Sequence, residues 1–203
     1  IGLNVKELSE RWQKEQKVLY YPDVAKREDP ADYARRLTDH TKDGNFYNTS
    51  PALSPQGDRI AFISDRNDYF DILLMSSLDG KILDRVVKGQ RTKDFEELHL
   101  LTPRITWSSD GKRIALAVKA GERDAIALVD VESGTTEKLQ FELEGITSVD
   151  WSPAGNGLAF VGQTTTQSDI YLYDFTTGAL SNLTDDIFSD SDPSFSPDGS
   201  VVF

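Results

Sequence analysis

Apolar residues in this chain come in short runs rather than along one helical stripe. Ile60–Ile63, Ile114–Val118 and Leu158–Val161 form one set, and Ile72–Met75, Ala125–Val129 and Ile170–Tyr173 form a second. Runs of this length, rich in β-branched and aromatic residues and bounded by turn residues, predict β-strands. Each run of the first set follows a phrase of common grammar: "SPALSPQGDRIAF", "TPRITWSSDGKRIAL", "TSVDWSPAGNGLAF" and, at the end, "DPSFSPDGSVVF". Leu53, Trp107, Trp151 or Phe195 precedes a Ser, a polar turn and a Gly. The anchoring residues Gly57, Gly111, Gly155 and Gly199 are spaced by 54, 44 and 44. Gly supplies the positive φ of a tight turn, so each phrase predicts a hairpin.

The second set lies in "FDILLMSSLDG", "DAIALVDVESG" and "SDIYLYDFTTG", strands that end in a turn. The pieces "KILDRVV", "TTEKLQF" and "GALSNLT" follow as a fourth strand. Four strands in about 44 residues describe a β-propeller blade. The near-continuous apolar runs fit, because a sheet covered on both faces loses strict in/out alternation. The same regularity argues against a solenoid or a sandwich. The expected fold is all-β: a partial propeller of three blades plus the start of a fourth, over 50–203. Closed propellers have about four to eight blades, so the chain reads as a fragment of a longer protein. The ten extra residues of the first spacing fall around "KGQRTKDFEELHLL".

Residues 1–49 read differently, as a helical segment and linker. Asn4 with Glu7 makes a capping box, and Val5, Leu8, Trp12 and Leu19 share a helical face. That helix is expected to run to Val18 or Leu19. Asp29-Pro30 marks a second start, continuing through Leu37, with "HTKDGNFYNTSP" as the linker into the first blade.

The phrases "LSPQGDRIAFISDR…DILLMSSLDG" and "WSPAGNGLAFVG…SDIYLYDFTTG" resemble the PD40 (WD40-like) repeats of TolB-type propellers. The resemblance spans Ser50–Phe203 and departs from the pattern at Ser109, which replaces the turn Pro, and at Ala154-Gly155-Asn156. It implies that the Trp107 and Trp151 strands are innermost. It also implies a bacterial periplasmic or envelope setting, with a role in envelope assembly or transport. The stretch "IGLNVKELSERWQKEQKVLYYPDVAKRED" is similar to segments that join a metallopeptidase-like domain to a PD40 propeller in bacterial envelope proteins. No HExxH occurs here, so on that reading catalytic residues lie outside the chain.

Composition adds limits. The 203 residues are 38% hydrophobic and 28% charged, with no Cys. Disulfides, thiol catalysis and Cys–zinc sites are thereby excluded. No apolar run approaches the roughly 20 residues of a membrane span. The net charge of −12 is unevenly spread: residues 139–203 contain ten Asp and Glu and neither Lys nor Arg. Such a field repels nucleic acid and anionic lipid. It describes either a solvated acidic surface or a surface for a basic partner or cation.

Groups for catalysis are few. His40 and His99 are far apart in the sequence. G-x-S-x-G, G-x-x-x-x-G-K and G-x-G-x-x-G patterns do not occur, and no cofactor is expected. Asp185, Asp186, Asp190 and Asp192 are the weak metal candidates. "DDIFSDSD" lacks the EF-hand Gly and bidentate Glu, and a polar loop between blades is the plainer reading. In "SDRNDYFD" the residues Asp65, Arg66, Asp68 and Tyr69 are candidates for partner binding, since Arg and Tyr are enriched at hot spots. The plainer alternative pairs Arg66 with Asp65 or Asp68. Asn48 and Asn182 match the glycosylation pattern. The expected function is a non-catalytic propeller that binds a protein or peptide; the alternative is a substrate-gating accessory to a peptidase or hydrolase. An open propeller leaves a strand edge uncovered, and such edges pair, so either self-association through the open blade or cover by the N-terminal helices is expected.

Overall fold

The computed structural model of the chain describes residues 2, 4–25, 27, 30–89, 98, 104–165 and 167–203. It divides into two compact units, Ile1–Leu37 and Thr38–Phe203.

In the first unit, helix α1 spans Val5–Tyr20. Its capping box forms as expected: Glu7 N–H donates to Asn4 Oδ1 at 2.9 Å and Asn4 N–H to Glu7 Oε2 at 2.9 Å. No residue of α1 is buried, and Val5, Leu8, Trp12 and Leu19 are all exposed. Single helical turns follow, α2 at Pro22–Ala25 and α3 at Pro30–Tyr33. The second helix expected through Leu37 is therefore one turn. A helix this short is below the length at which hydrogen bonds offset nucleation.

The second unit opens with one further turn, α4 at His40–Asp43, inside the expected linker. Asp39 caps it by accepting from Thr41 N–H, and Gly44 ends it at φ 68°. The rest is β-sheet. Strands β1 (Asn48–Leu53), β2 (Arg59–Ser64), β3 (Asp71–Ser76) and β4 (Ile82–Val87) form the first blade in the order β1-β2-β3-β4. Strands β5 (Thr106–Trp107), β6 (Arg113–Ala120), β7 (Arg123–Asp130) and β8 (Thr136–Leu139) form the second. The third holds β9 (Gly145–Trp151), β10 (Gly157–Gln163), β11 (Ser168–Asp174) and β12 (Leu180–Asn182). Strands β13 (Ser194–Phe195) and β14 (Val201–Val202) are the first hairpin of a fourth. All pairings are antiparallel, and the architecture is the partial propeller that the repeat predicts.

Each hairpin turn uses its Ser as a hub. Ser54 Oγ donates to Asp58 at 2.8 Å and accepts from Arg59 N–H. Ser108 Oγ donates to Asp110 at 2.6 Å and accepts from Arg113 N–H. The departures at Ser109 and at Ala154–Asn156 leave this turn intact. Ser152 donates to Asn156 at 2.9 Å, so an amide oxygen replaces the carboxylate.

The core lies between blades. On β6, Ile114, Leu116 and Val118 belong to a cluster with Ala61, Ile63, Ile72 and Leu74 of the first blade. The alternating Ala115 and Ala117 belong to a second cluster, with Ile146, Trp151, Leu158 and Phe160 of the third. On β7 the sizes reverse: Ala125 and Ala127 face the first blade, Ile126 and Leu128 the third. The register sets Ala115 opposite Leu128, Leu116 opposite Ala127 and Ala117 opposite Ile126. Directly opposed residues of an antiparallel pair share a face. Each face of the sheet therefore alternates large and small, leaving sockets for the neighbouring blade.

Three buried carboxylates begin the third strands. Asp71 pairs with Arg85 at 3.1 Å and accepts from Gly89 N–H. Asp124 accepts from Ile146 N–H at 3.0 Å, at the start of the next blade. Asp169 accepts from the Asn182 amide at 2.9 Å.

Two outcomes follow from this packing. Phe160 is fully buried, with ring centroids of Phe141 and Tyr171 at 5.1 and 6.0 Å. Phe160→Ala is expected to cost about 3–5 kcal/mol, read from the urea midpoint at unchanged m-value. Ser196 and Ser200 hydroxyls and the Ser200 N–H hold the exposed Asp198 carboxyl down from 3.8 to about 2. Its folded value is depressed, so its contribution is present above the ordinary carboxylate range and is lost as pH falls toward about 2. NMR titration of Asp198 should give that midpoint, and Ser196→Ala should move it upward.

Candidate binding site on the inner strands

The first strands of successive blades touch: β1 meets β5, β5 meets β9, and β9 meets β13. They line the propeller axis, where the Trp107 and Trp151 strands were expected. Between them is a cavity of about 380 Å³, bounded by Ser50–Leu53, by residues 104–107 and by Asp150.

Asp150 organises the polar wall. Its carboxylate accepts from Thr106 Oγ1 at 3.1 Å, from Phe195 N–H at 2.8 Å and from Ser194 Oγ at 3.3 Å. Arg104 lies 3.7 Å from it and donates to Pro193 O at 2.8 Å. Thr106 Oγ1 also accepts from Trp151 N–H. Ser148 Oγ donates to Asp192 at 3.0 Å. One arginine of the second blade thus spans the third and reaches the fourth.

The axis also holds backbone strain. Ser50, Ser148 and Asp192 occupy one repeat position and sit at φ 53°, 49° and 53°. Non-glycine residues in this left-handed region cost on the order of 1–3 kcal/mol each. Arg104 fills the same repeat position in the second blade. A cavity with an arginine, a carboxylate, hydroxyls and the exposed Leu53 offers donors, acceptors and an apolar contact to a polar ligand such as a peptide.

Of the residues singled out in the sequence, Asp192 lies at this axis, accepting from Ser148 Oγ, and the others lie elsewhere. Asp65 accepts from the N–H groups of Phe46 and Tyr47, at 3.1 and 2.9 Å. Arg66 pairs with Asp43 of α4 at 2.8 Å, with both side chains largely buried, rather than with Asp65 or Asp68. These two residues clasp the segment before β1. Asp68 sits at φ 67° and Tyr69 is 40% exposed. The Asp185, Asp186, Asp190 and Asp192 carboxylates are spread along the β12–β13 connection. Among the described residues, no three His, Cys, Asp or Glu side chains gather as a metal-binding group. His40 is exposed at the start of α4, and His99 lies outside the described residues. The Asn48 amide oxygen accepts from Asn45 while its nitrogen is buried without a hydrogen-bond partner among the described residues, and the Asn182 amide donates to Asp169. Arg104, Thr106 and Asp150 were not singled out. Their signal is polar character at equivalent repeat positions just before the Trp or Phe of each inner strand.

Fold and axial cavity together define a β-propeller. The TolB beta propeller domain family, PD40, matches residues 90–203, more than half of the chain. The chain belongs to this family. Among solved structures, a putative TolB from Agrobacterium tumefaciens aligns at TM-score 0.65 and 23% identity, over 77% of this chain and 53% of that one. TolB from Acinetobacter baumannii aligns at TM-score 0.61 and 24% identity, over 76% of this chain and 36% of that one. At these identities the likeness speaks to fold. Among curated proteins, the uncharacterized peptidase YuxL of Bacillus subtilis is 27% identical over 157 residues, 77% of this chain and 21% of its own length. Dipeptidyl-peptidase 5 of Porphyromonas gingivalis is 28% identical over 134 residues, 56% of this chain and 20% of its own length. The chain thus spans about a fifth of the curated relatives it matches.

Asp150→Ala removes the acceptor of the Phe195 N–H. Hydrogen exchange at Phe195 is expected to accelerate, at a cost of about 1–3 kcal/mol, while β6 and β7 keep their protection.

Proposed function

We propose that the repeats over 50–203 are a non-catalytic scaffold that binds a protein or peptide in the bacterial cell envelope, on the periplasmic side. The observation that carries this reading is the axial cavity, where side chains from three blades converge around Arg104 and Asp150. Strain at one repeat position in the first, third and fourth blades supports it, because such strain collects at sites of function. A rigid disc with preset donors and acceptors lowers the ordering cost of binding. The β2–β3 loop adds Asp68 and Tyr69 as outer contacts, while Asp65 and Arg66 hold that loop in place.

A second reading draws on the relatives named as peptidases. In it the propeller admits or orients substrates for a hydrolase domain encoded outside this chain. A photo-crosslinking residue at Leu53 in the full-length protein, expressed in its host, separates the two. The scaffold reading expects an adduct to an intact polypeptide that weakens in Arg104→Ala and is absent when the probe is moved to Leu78. Adducts only to trimmed peptides would favour the accessory role, and no adduct at Leu53 would reject both.

A further inference from the structure

We infer that residues 35–38 are the outermost strand of the blade that precedes the first one around the ring, and that this blade's other three strands come from the C-terminal side of the full-length protein. The ring is then closed by pairing two segments far apart in sequence. This closure is independent of what the axis binds.

The repeat points to this segment. "RRLTDH" at 35–40 matches "SNLTDD" at 181–186 in its Leu-Thr-Asp. In the third blade those letters fasten the fourth strand to the third: Leu183 N–H donates to Ile170 O at 2.8 Å, and Thr184 Oγ1 accepts from Ile170 N–H at 2.9 Å. In the other blades Val87 stands opposite Ile72 and Leu139 opposite Ile126. The spacing agrees. Leu139 stands nine residues before Ser148 and Leu183 nine before Asp192, whereas Leu37 stands thirteen before Ser50. The turn α4, four residues long, accounts for the difference. Past it, Phe46 and Pro51 fall at the positions of Phe188 and Pro193. Residues 34–39 themselves belong to neither helix nor strand, and Asp39 has an extended backbone at φ −142° and ψ 101°.

The residues just upstream cannot supply the rest of that blade. Strand β11 lies nine to fifteen residues before Leu183, and β10 twenty to twenty-six. The same distances before Leu37 fall on 22–28 and 11–17. Helix α2 takes up the start of the first range, and α1, started by its capping box, takes up all of the second. "PDVAKRE" at 22–28 also lacks the apolar run of the third-strand phrases.

A single strand has no stability of its own and needs an edge to pair with. The edge that fits is the third strand of the ring's last blade, and β13 with β14 already opens a blade further along the chain. Adding a strand there removes an unpaired edge. Loop-closure cost grows only slowly with length, so the distance in sequence is little obstacle.

The test places a photo-crosslinking residue at Arg36 in the full-length protein, prepared as a mixture of isotope-labelled and unlabelled copies, and maps adducts by mass spectrometry. The expected adduct joins position 36 to the blade nearest the C-terminal end of the ring, within one copy. Adducts confined to residues 1–30, adducts joining two copies, or no adduct overturn the inference. Hydrogen exchange gives a second readout. Leu37→Pro removes the N–H that the pairing uses and should speed exchange of the β2 and β3 amides about tenfold. Leu8→Pro, which breaks α1, should leave them unchanged. Equal effects of the two substitutions also overturn it.

Discussion

Everything in the propeller unit depends on one constraint: a four-stranded sheet that is apolar on both faces cannot stay in water, so each blade must be covered twice. The second blade shows how the sequence meets that demand. Residues of one parity on β6 and β7 go to the first blade and residues of the other parity to the third. Opposing each alanine to a larger residue, as Ala115 to Leu128 and Ala117 to Ile126, gives both faces relief. Relief lets flat sheets interlock, which uniform leucine would not do. Hydrophobic burial is non-directional, and this pattern of sizes supplies the direction.

Covering both faces has a geometric consequence. Sheets stacked side by side around an axis bring their first strands together, and the backbone there has little room. Ser50, Ser148 and Asp192 take left-handed φ values at that point, and polar side chains fill the gaps between strands. Asp150 is the clearest case, because it answers donors from the second and fourth blades at once. The axis is therefore both a seam and a cavity, and the same residues serve the seam and line the space.

The parts of this structure legible in the sequence are those encoded within one repeat. The glycine turns, the four strands and the α1 capping box are all local, and each has a signature a few residues long. The turn survived the substitutions at Ser109 and Asn156 because its hub is Ser152 or its equivalent, with any short oxygen acceptor sufficing. What escaped is what links distant residues. Arg104 meets Pro193 across 89 residues of chain, and Arg66 meets Asp43 rather than its sequence neighbours. The buried aspartates Asp71, Asp124 and Asp169 were visible in principle, as the same letter at the same place in three phrases. Their burial was not, since only the sheet shows that they anchor the crossings between blades. The short α3 reflects the opposite failure: a good start signal with too few helical residues behind it.

The loss of basic residues after position 138 ties these strands of argument together. Between the first and second blades, the Arg59 guanidinium lies 5.4 Å over the Trp107 ring; between the second and third, Arg113 lies 5.1 Å over Trp151. The next member of the series is Gly157, where a side chain would meet the Tyr173 carbonyl at 2.6 Å. Phe195 therefore has no guanidinium at that position. The junction with the fourth blade is instead carried by Asp150, through the Phe195 N–H, and by Arg104 reaching over from the second blade. Two arginine staples have given way to a carboxylate one. Asp150 stands at the repeat position of Ala52 and Thr106, while the position of Arg59 and Arg113 holds Gly157. The seam to the fourth blade therefore joins through a carboxylate that answers one arginine, instead of through an arginine over a ring.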